Sequence, residues 1–170
     1  MGPPDRYRSI LALRAKRSFG DEPVGDDDLR LILEAARWTG SSKNRQSWAF
    51  IVVTDPAQRA RLADTGDFTE PLRRAPVALA LVQEPDGYEF DMGRVAQNVM
   101  LAADAIGIAS CPVTLHRDED AATVLGLPDG SRCRYAIALG HPGTASTTPA
   151  TFGGRKPLDE LVHRNRYRDR

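Results

Sequence analysis

The sequence predicts an α+β fold in which helices flank a small central sheet. Helical segments outnumber the short apolar runs that are typical of strands. The connections between these segments are too irregular for a regular βαβ winding. Neither GxGxxG nor GxxxxGKS/T follows an apolar run, so a nucleotide-like cofactor would be held by side chains and loops. The length of 170 residues predicts one domain, residues 1–170.

The first half of the chain carries three predicted helices and two predicted strands. The clearest helix covers residues 27–38, where apolar residues recur at helical spacing after Asp26, Asp27 and Asp28, which can cap it. The other elements in this half are a first helix that ends near Lys16, a strand at 48–54 that looks buried, a helix at 55–64 capped by Asp55, and a second buried strand at 76–82.

A long helix at residues 91–106 dominates the second half of the chain, and Gly107 ends it. Its expected packing positions are Val95, Val99, Leu101, Ala102 and Ala105. The remaining elements are a turn at 84–87, a strand at 110–115, a short helix at 119–125, a strand at 134–139 and a short closing helix at 157–167.

Composition and charge argue against several classes of protein. The 23 basic and 23 acidic residues cancel, so no overall field attracts nucleic acid or a membrane surface. The two cysteines and three histidines lack the spacing of a metal or redox site, so no metal is expected. No apolar stretch approaches the roughly 20 residues that span a bilayer, and the first residues have no secretory pattern. We therefore expect a cytoplasmic protein.

Three polar or basic segments are candidates for a binding site. Residues 39–50, TGSSKNRQSWAF, place many side chains that both donate and accept hydrogen bonds before a strand. A flavin ring requires that mixture, although a loop that only caps a helix and a strand is the alternative. Residues 14–24 and 152–162 carry cations that can grip a phosphate or can simply face solvent.

Taken in order along the chain, these segments resemble the nitroreductase family of flavoproteins. The resemblance covers nearly the whole sequence, with five weak motifs in the expected order. The matching residues are Arg14, Arg17 and Phe19; Ser41, Ser42, Asn44, Gln46 and Trp48; Asp91, Gly93, Gln97, Asn98, Leu101, Ala102, Ala103 and Gly107; Gly140, His141 and Pro142; and Arg155, Pro157 and Leu158. The chain departs from the pattern at Ala15, Gly40 and Ser47, and it is short for the family.

The resemblance implies a small, mostly antiparallel sheet and an intertwined homodimer with FMN at its interface. It places Arg14 and Arg155 at the phosphate, and Arg17 near the ribityl chain or the N1/O2 edge of the ring, where it would act in catalysis. The same analogy assigns the remaining cofactor-binding positions, which are Ser41, Ser42, Asn44 and Gln46 near the ribityl chain or ring and Pro112 and Val113 at the other edge of the ring.

The resemblance also implies hydride transfer from NADH or NADPH through the flavin to a nitroaromatic, a quinone or a similar small acceptor. Two alternatives stay open. One is another flavin reaction on the same fold, such as dehydrogenation of a peptide-derived substrate, dehalogenation or flavin breakdown. The other is a non-catalytic subunit that binds a flavin or deazaflavin. We expect Val95, Val99, Met100 and Ala103 of the long helix to lie in the dimer interface.

Overall fold

The computed structural model describes residues 3–144 and 154–167, and it contains a four-stranded antiparallel sheet. The strand order is β1-β2-β4-β3, and every neighbouring pair is antiparallel. The strands are β1 (Trp48–Val53), β2 (Val77–Gln83), β3 (Ala109–Thr114) and β4 (Arg132–Gly140). The helices are α1 (Pro3–Ala12), α2 (Asp26–Arg37), α3 (Pro56–Ala63), α4 (Glu70–Arg74), α5 (Glu89–Ala105) and α6 (Asp118–Leu125). The predicted α+β class is confirmed.

Both faces of the sheet are covered, and the two faces differ in side-chain size. Large residues such as Leu79, Leu81 and Ile137 point toward α2 and α5. Alanines at the intervening positions, including Ala78 and Ala80, point toward α3, α4 and α6. Side chains alternate along a strand, so a continuous apolar run fills both layers. This explains why β2 reads as uniformly apolar in the sequence.

Local signals fix most of the helix ends. The Asp55 carboxylate accepts a hydrogen bond of 2.6 Å from the Gln58 amide and caps α3, as predicted. Gly107 ends α5 with a φ of 80°, a conformation that glycine adopts without steric cost. The three aspartates before α2 occupy its first turn instead of the cap position, which Gly25 takes. There they still interact favourably with the helix dipole.

One helix was not predicted, and one predicted helix is wrong. The short helix α4 was not predicted, because five residues with a proline near the start show no helical period. The closing helix at 157–167 is absent from that part of the described chain, where a single 3-10 turn, Leu158–Glu160, is the only regular element. These residues are exposed or half-buried, so no packing supports a longer helix.

Two predictions about burial also need correction. The strand β1 lies at an edge of the sheet, and only its last residue, Val53, is fully buried. On α5, the expected packing position Ala105 is exposed, while Leu101 and Ala102 are half-buried.

The predicted dimer surface on α5 does not exist as described. Val95, Val99, Met100 and Ala103 are buried in the chain's own core against the sheet and α2. They are therefore covered without a partner, and the dimer requires a different argument.

No helix within residues 3–144 and 154–167 is both long enough and apolar enough to cross a membrane.

Candidate functional site

A strip of chain, residues 13–20, wraps the outer edge of β3. The Lys16 amide donates a hydrogen bond of 2.8 Å to the Ser110 carbonyl, and the Gly20 amide donates one of 2.9 Å to His141. Leu13 packs into one layer of the core and Phe19 into the other. Because the strip is anchored on both sides, its intervening arginines are held at the surface.

Arg14 and Arg155, which are far apart in sequence, share one cavity of about 500 Å³. Gln97 of α5 also lines it, together with apolar residues from the end of α1 and from α5. The Arg14 Nη1 atom donates to the carbonyls of Leu11 and Leu13, at 2.6 and 2.8 Å. Neither arginine forms an ion pair with a carboxylate in the described residues. Two unpaired cations in one cavity suit an anionic group. We call this the Arg14 cavity.

Arg17, Pro112 and Val113 meet in a second cavity of about 360 Å³, the Arg17 cavity. Its other lining residues are Phe68, Cys111, Thr114 and His116. Arg17 is exposed and has no ion-pair partner in the part of the chain that the structure describes. Arg14 and Arg17 stand three residues apart on this strip, so their Cα atoms lie at most about 11 Å apart.

Phe68 is a feature of the Arg17 cavity that the sequence analysis missed. Its side chain is 84% exposed and lies edge-on to the His116 ring, with centroids 6.3 Å apart. The Asp67 amide donates to His116 Nδ1 at 3.2 Å, and the Arg117 guanidinium binds the Asp67 carboxylate at 2.8 Å. This bond holds the pKa of Asp67 below its usual range. The polar contacts hold an aromatic ring in solvent, where packing alone would not keep it.

Gly66 fixes the same loop against the end of β3. A Cβ atom at Gly66 would lie 2.4 Å from the Thr69 methyl group and 2.6 Å from the Thr114 carbonyl oxygen. Such contacts are too close for any side chain, so this position requires glycine. A single phenylalanine in a polar loop gives no sequence signal for a site. Its partner His116 lies 48 residues further along the chain.

Cys111 lines the Arg17 cavity but is not poised as a nucleophile. Burial raises the pKa of the Cys111 thiol, and the nearby Arg17 charge only partly opposes this shift. The thiol therefore stays protonated at neutral pH. Within residues 3–144 and 154–167 there is also no group of three or more histidine, cysteine, aspartate or glutamate side chains that could hold a metal ion.

The polar loop before β1 has an unusual backbone. Lys43, Asn44 and Gln46 adopt positive φ values of 54°, 53° and 53°, which cost non-glycine residues about 1 kcal/mol or more each. The Ser41 hydroxyl accepts a hydrogen bond of 2.9 Å from the Gln46 amide and closes the loop. The Ser42, Asn44 and Gln46 side chains are exposed. Strain of this kind persists only where the surroundings impose it.

Two arginines hold this loop, Arg94 of α5 and Arg45 of the loop itself. Arg94 donates to the Gly40 carbonyl at 2.5 Å, and Arg45 lies over the Tyr88 ring. The loop thus has a defined shape. Ser41 and Gln46, whose side-chain amide donates to the Asn44 carbonyl at 3.3 Å, serve the loop itself, and the Ser42 and Asn44 side chains are presented outward.

The loop lies far from the Arg17 cavity within one chain. It leads into β1, whereas Pro112 belongs to β3, and these strands form opposite edges of the sheet. Three strand spacings separate them, about 14 Å. Pro112 is level with Val52 through the register, so Trp48 lies about 13 Å further along the strand direction. The structure brings Arg14 together with Arg155, and Arg17 together with Pro112 and Val113. It does not bring the loop to Pro112.

Both the sequence and the fold of this chain are similar to those of known proteins. The model of the Nitroreductase family matches residues 10–84 and 66–141. The chain is 27% identical over 181 residues to the NADPH-flavin oxidoreductase of Vibrio harveyi, covering 95% of this chain and 74% of that protein. It is 25% identical over 186 residues to the FMN reductase [NAD(P)H] of Bacillus subtilis, covering 94% and 73%. The crystal structure of nitroreductase A from Vibrio parahaemolyticus superposes with a TM-score of 0.83 at 27% identity, covering 96% and 76%.

Proposed function

The chain belongs to the nitroreductase family, and from this premise we propose that it is an FMN-dependent oxidoreductase. In this proposal it takes hydride from NADH or NADPH and passes it through the flavin to a nitroaromatic, a quinone or a similar small acceptor. The names of its relatives support a flavin and a nicotinamide donor. The observation that carries the proposal is the pair of arginine cavities on one strip, with Arg14 and Arg155 in the first and Arg17 in the second.

The charge of the residues present fits FMN. Arg14 and Arg155 would bind the phosphate, since each retains N–H groups that no carboxylate occupies in the described chain. Arg14 and Arg17 are close in sequence, so one ligand can reach both cavities, with a phosphate in one and a ring in the other. When bound, FMN supplies the two-electron chemistry that no side chain here can provide.

Arg17 would stabilise the negative charge that reduction places on the ring. Its guanidinium has no partner carboxylate in the described residues, so its full charge is available to a ligand in the cavity. Pro112 and Val113, on the edge strand β3, would contact the ring, and Pro112 is exposed. No nucleophile is required, which is consistent with the protonated Cys111.

A second copy of the chain would complete the site. The Ser41–Gln46 loop carries the donors and acceptors that suit a flavin, yet it lies at the opposite edge of the sheet from Pro112. A partner could bring its own loop to the Arg17 cavity. We therefore propose a homodimer with FMN at the interface.

The homodimer can be tested by its state in solution. We expect wild-type protein at micromolar concentration to sediment as a dimer with FMN bound. A wild-type monomer that retains FMN would rule out the shared site.

Phe68 should contribute to binding of aromatic acceptors. An exposed ring beside the Arg17 cavity can stack on a quinone or nitroaromatic, a contact that contributes about 0.5–1.5 kcal/mol beyond area burial. We expect F68A to raise KM for an aromatic quinone about three- to tenfold and F68Y to leave KM unchanged. KM for ferricyanide, which cannot stack, serves as the control. Equal changes in both KM values would assign Phe68 a purely structural role.

The proposed activity itself has a direct test. Purified protein should carry the visible absorption spectrum of bound FMN, and it should oxidise NADH or NADPH in the presence of a quinone. Bound flavin without any NAD(P)H oxidation would favour the non-catalytic alternative. Flavin reduction with a different class of acceptor would favour another reaction on the same fold.

A further inference from the structure

A third cavity contains an arginine that the flavin proposal does not use. It has a volume of about 370 Å³ and lies where β1 ends and β2 begins, between α3 and α4. Its polar lining consists of Asp21, Thr54, Arg59 and Arg74, with Pro76 beside them. We call it the Arg59 cavity.

Arg59 is more than nine-tenths buried, with 9% of its surface exposed. Its Nη1 atom donates to the carbonyls of Thr54 and Pro76, both at 2.7 Å, and so joins the end of β1 to the start of β2. Its Nε atom is buried and has no hydrogen-bond partner. Nη2 likewise has no partner among the described residues. One side of the guanidinium is therefore satisfied, and the donors on the other side are unused, with Nε covered by protein.

The unpaired side of Arg59, formed by Nε and Nη2, has the geometry that binds oxyanions. Nε–H and Nη2–H are parallel donors that match two oxygens of a carboxylate or phosphate. Burial lowers the pKa of Arg59, but an arginine side chain keeps its charge in proteins. Within the described residues no carboxylate forms an ion pair with it. The charge of Asp55 opposes the effect of burial only in part, so an anionic ligand has a physical reason to bind here.

Arg74 places a second cation on the same cavity. Its side chain is 66% exposed, and its Nε atom lies 2.9 Å from Glu70 Oε1. Asp21 lines the cavity without pairing with either arginine in the described structure. Its negative charge repels anions, so it disfavours a ligand with several negative charges.

We propose that the Arg59 cavity binds one oxyanion, the phosphate or carboxylate group of a small molecule, with Arg59 as the bidentate donor. The ligand would accept first from Nη2 and then from Nε after a small rotation of the guanidinium.

This site is separate from the proposed flavin site, although the chain connects them. Residues 20–24, several of which line the Arg59 cavity, continue directly from the strip that carries Arg14 and Arg17. Phe19 lies between them and is packed into the core. The proposal for Arg59 does not depend on FMN, and each site can be measured with the other blocked.

Inorganic phosphate and acetate are the probes, titrated at constant ionic strength into protein saturated with FMN. FMN occupies the Arg14 cavity if the proposed function is right, and the R14A variant removes phosphate binding there if it is wrong. We expect one saturable site for at least one probe, and a shift of the Arg59 Nε–H resonance that saturates with the same affinity. The probe that binds more tightly identifies the group as phosphate or carboxylate.

Two neighbouring arginines of α4 provide a matched pair of variants. R74Q should weaken binding of the probe at least threefold, whereas R73Q, which removes the ion pair to Asp64 and leaves the cavity lining intact, should not. R59K keeps the charge but loses the parallel donors, and it should abolish the site if it folds. The absence of a saturable shift in wild type, or equal weakening by R74Q and R73Q, would overturn the proposal.

Discussion

Replacing Arg14 with alanine should weaken FMN binding at least tenfold, or about 1.4 kcal/mol. Arg14 shares its cavity with Arg155, and neither cation is neutralised by a carboxylate in the described residues. Hydrogen bonds to charged groups contribute about 1.5–3 kcal/mol each, so the R14A/R155A double variant should lose about a hundredfold or more. Fluorescence titration with FMN measures both effects.

The phosphate role predicts a specific pattern of controls for Arg14. Riboflavin lacks the phosphate, so its affinity should be almost the same in wild type and in R14A. The variant R8A removes an exposed cation of α1 that does not line the cavity, and it should bind FMN like wild type. Equal losses for FMN and riboflavin in R14A would show that Arg14 supports the fold of the strip and does not bind the phosphate.

Replacing Arg17 with alanine should lower the midpoint potential of bound FMN. The attraction of a nearby cation grows when the ring gains negative charge, so the reduced form benefits more than the oxidised form. A tenfold difference between the two forms corresponds to about 30 mV for a two-electron couple. Reduction by NAD(P)H should slow in parallel, while affinity for oxidised FMN should fall less. Potentiometric titration and stopped-flow reduction measure the two quantities.

Neighbouring substitutions separate the possible roles of Arg17. R17K keeps the charge without the planar guanidinium and should restore part of the potential. K16A removes an adjacent exposed charge outside the cavity lining, and it should have little effect. A loss of FMN affinity with an unchanged potential would make Arg17 a phosphate ligand. No change in either quantity would make it a surface cation.

The elements that were predicted correctly have strong local signals. The strand β2 is apolar up to its last residue, β4 ends in an apolar run, and α3 begins at a capping aspartate with a proline behind it. The short helix α4 has neither a period nor a side-chain cap, and only its packing under the sheet forms it. The reverse holds at 157–167, where a helix-like pattern finds no surface to pack on in the described chain.

Parts of the candidate site depend on contacts that one-dimensional patterns do not contain. The joint phosphate role of Arg14 and Arg155 is implied by the resemblance and stays a prediction, and the structure places both residues in the lining of one cavity. The contact between Phe68 and His116 joins two loops that have no motif in common. On α5, the sequence predicts that Val95 and Val99 are buried, but it does not show which surface covers them. The chain's own sheet and α2 cover them.

The strand order β1-β2-β4-β3 determines when the sheet can be completed during synthesis. β1 can pair with β2 early, but β2 and β3 both wait for β4, which ends at Gly140. Pairing across so long a loop is slow relative to helix formation. The strip that carries Arg14 and Arg17 rests on β3, so its place on the surface is fixed only after the ribosome has passed Gly140. Any ligand of these arginines therefore binds only after β4 has been made, although both arginines lie far upstream of β4 in the sequence.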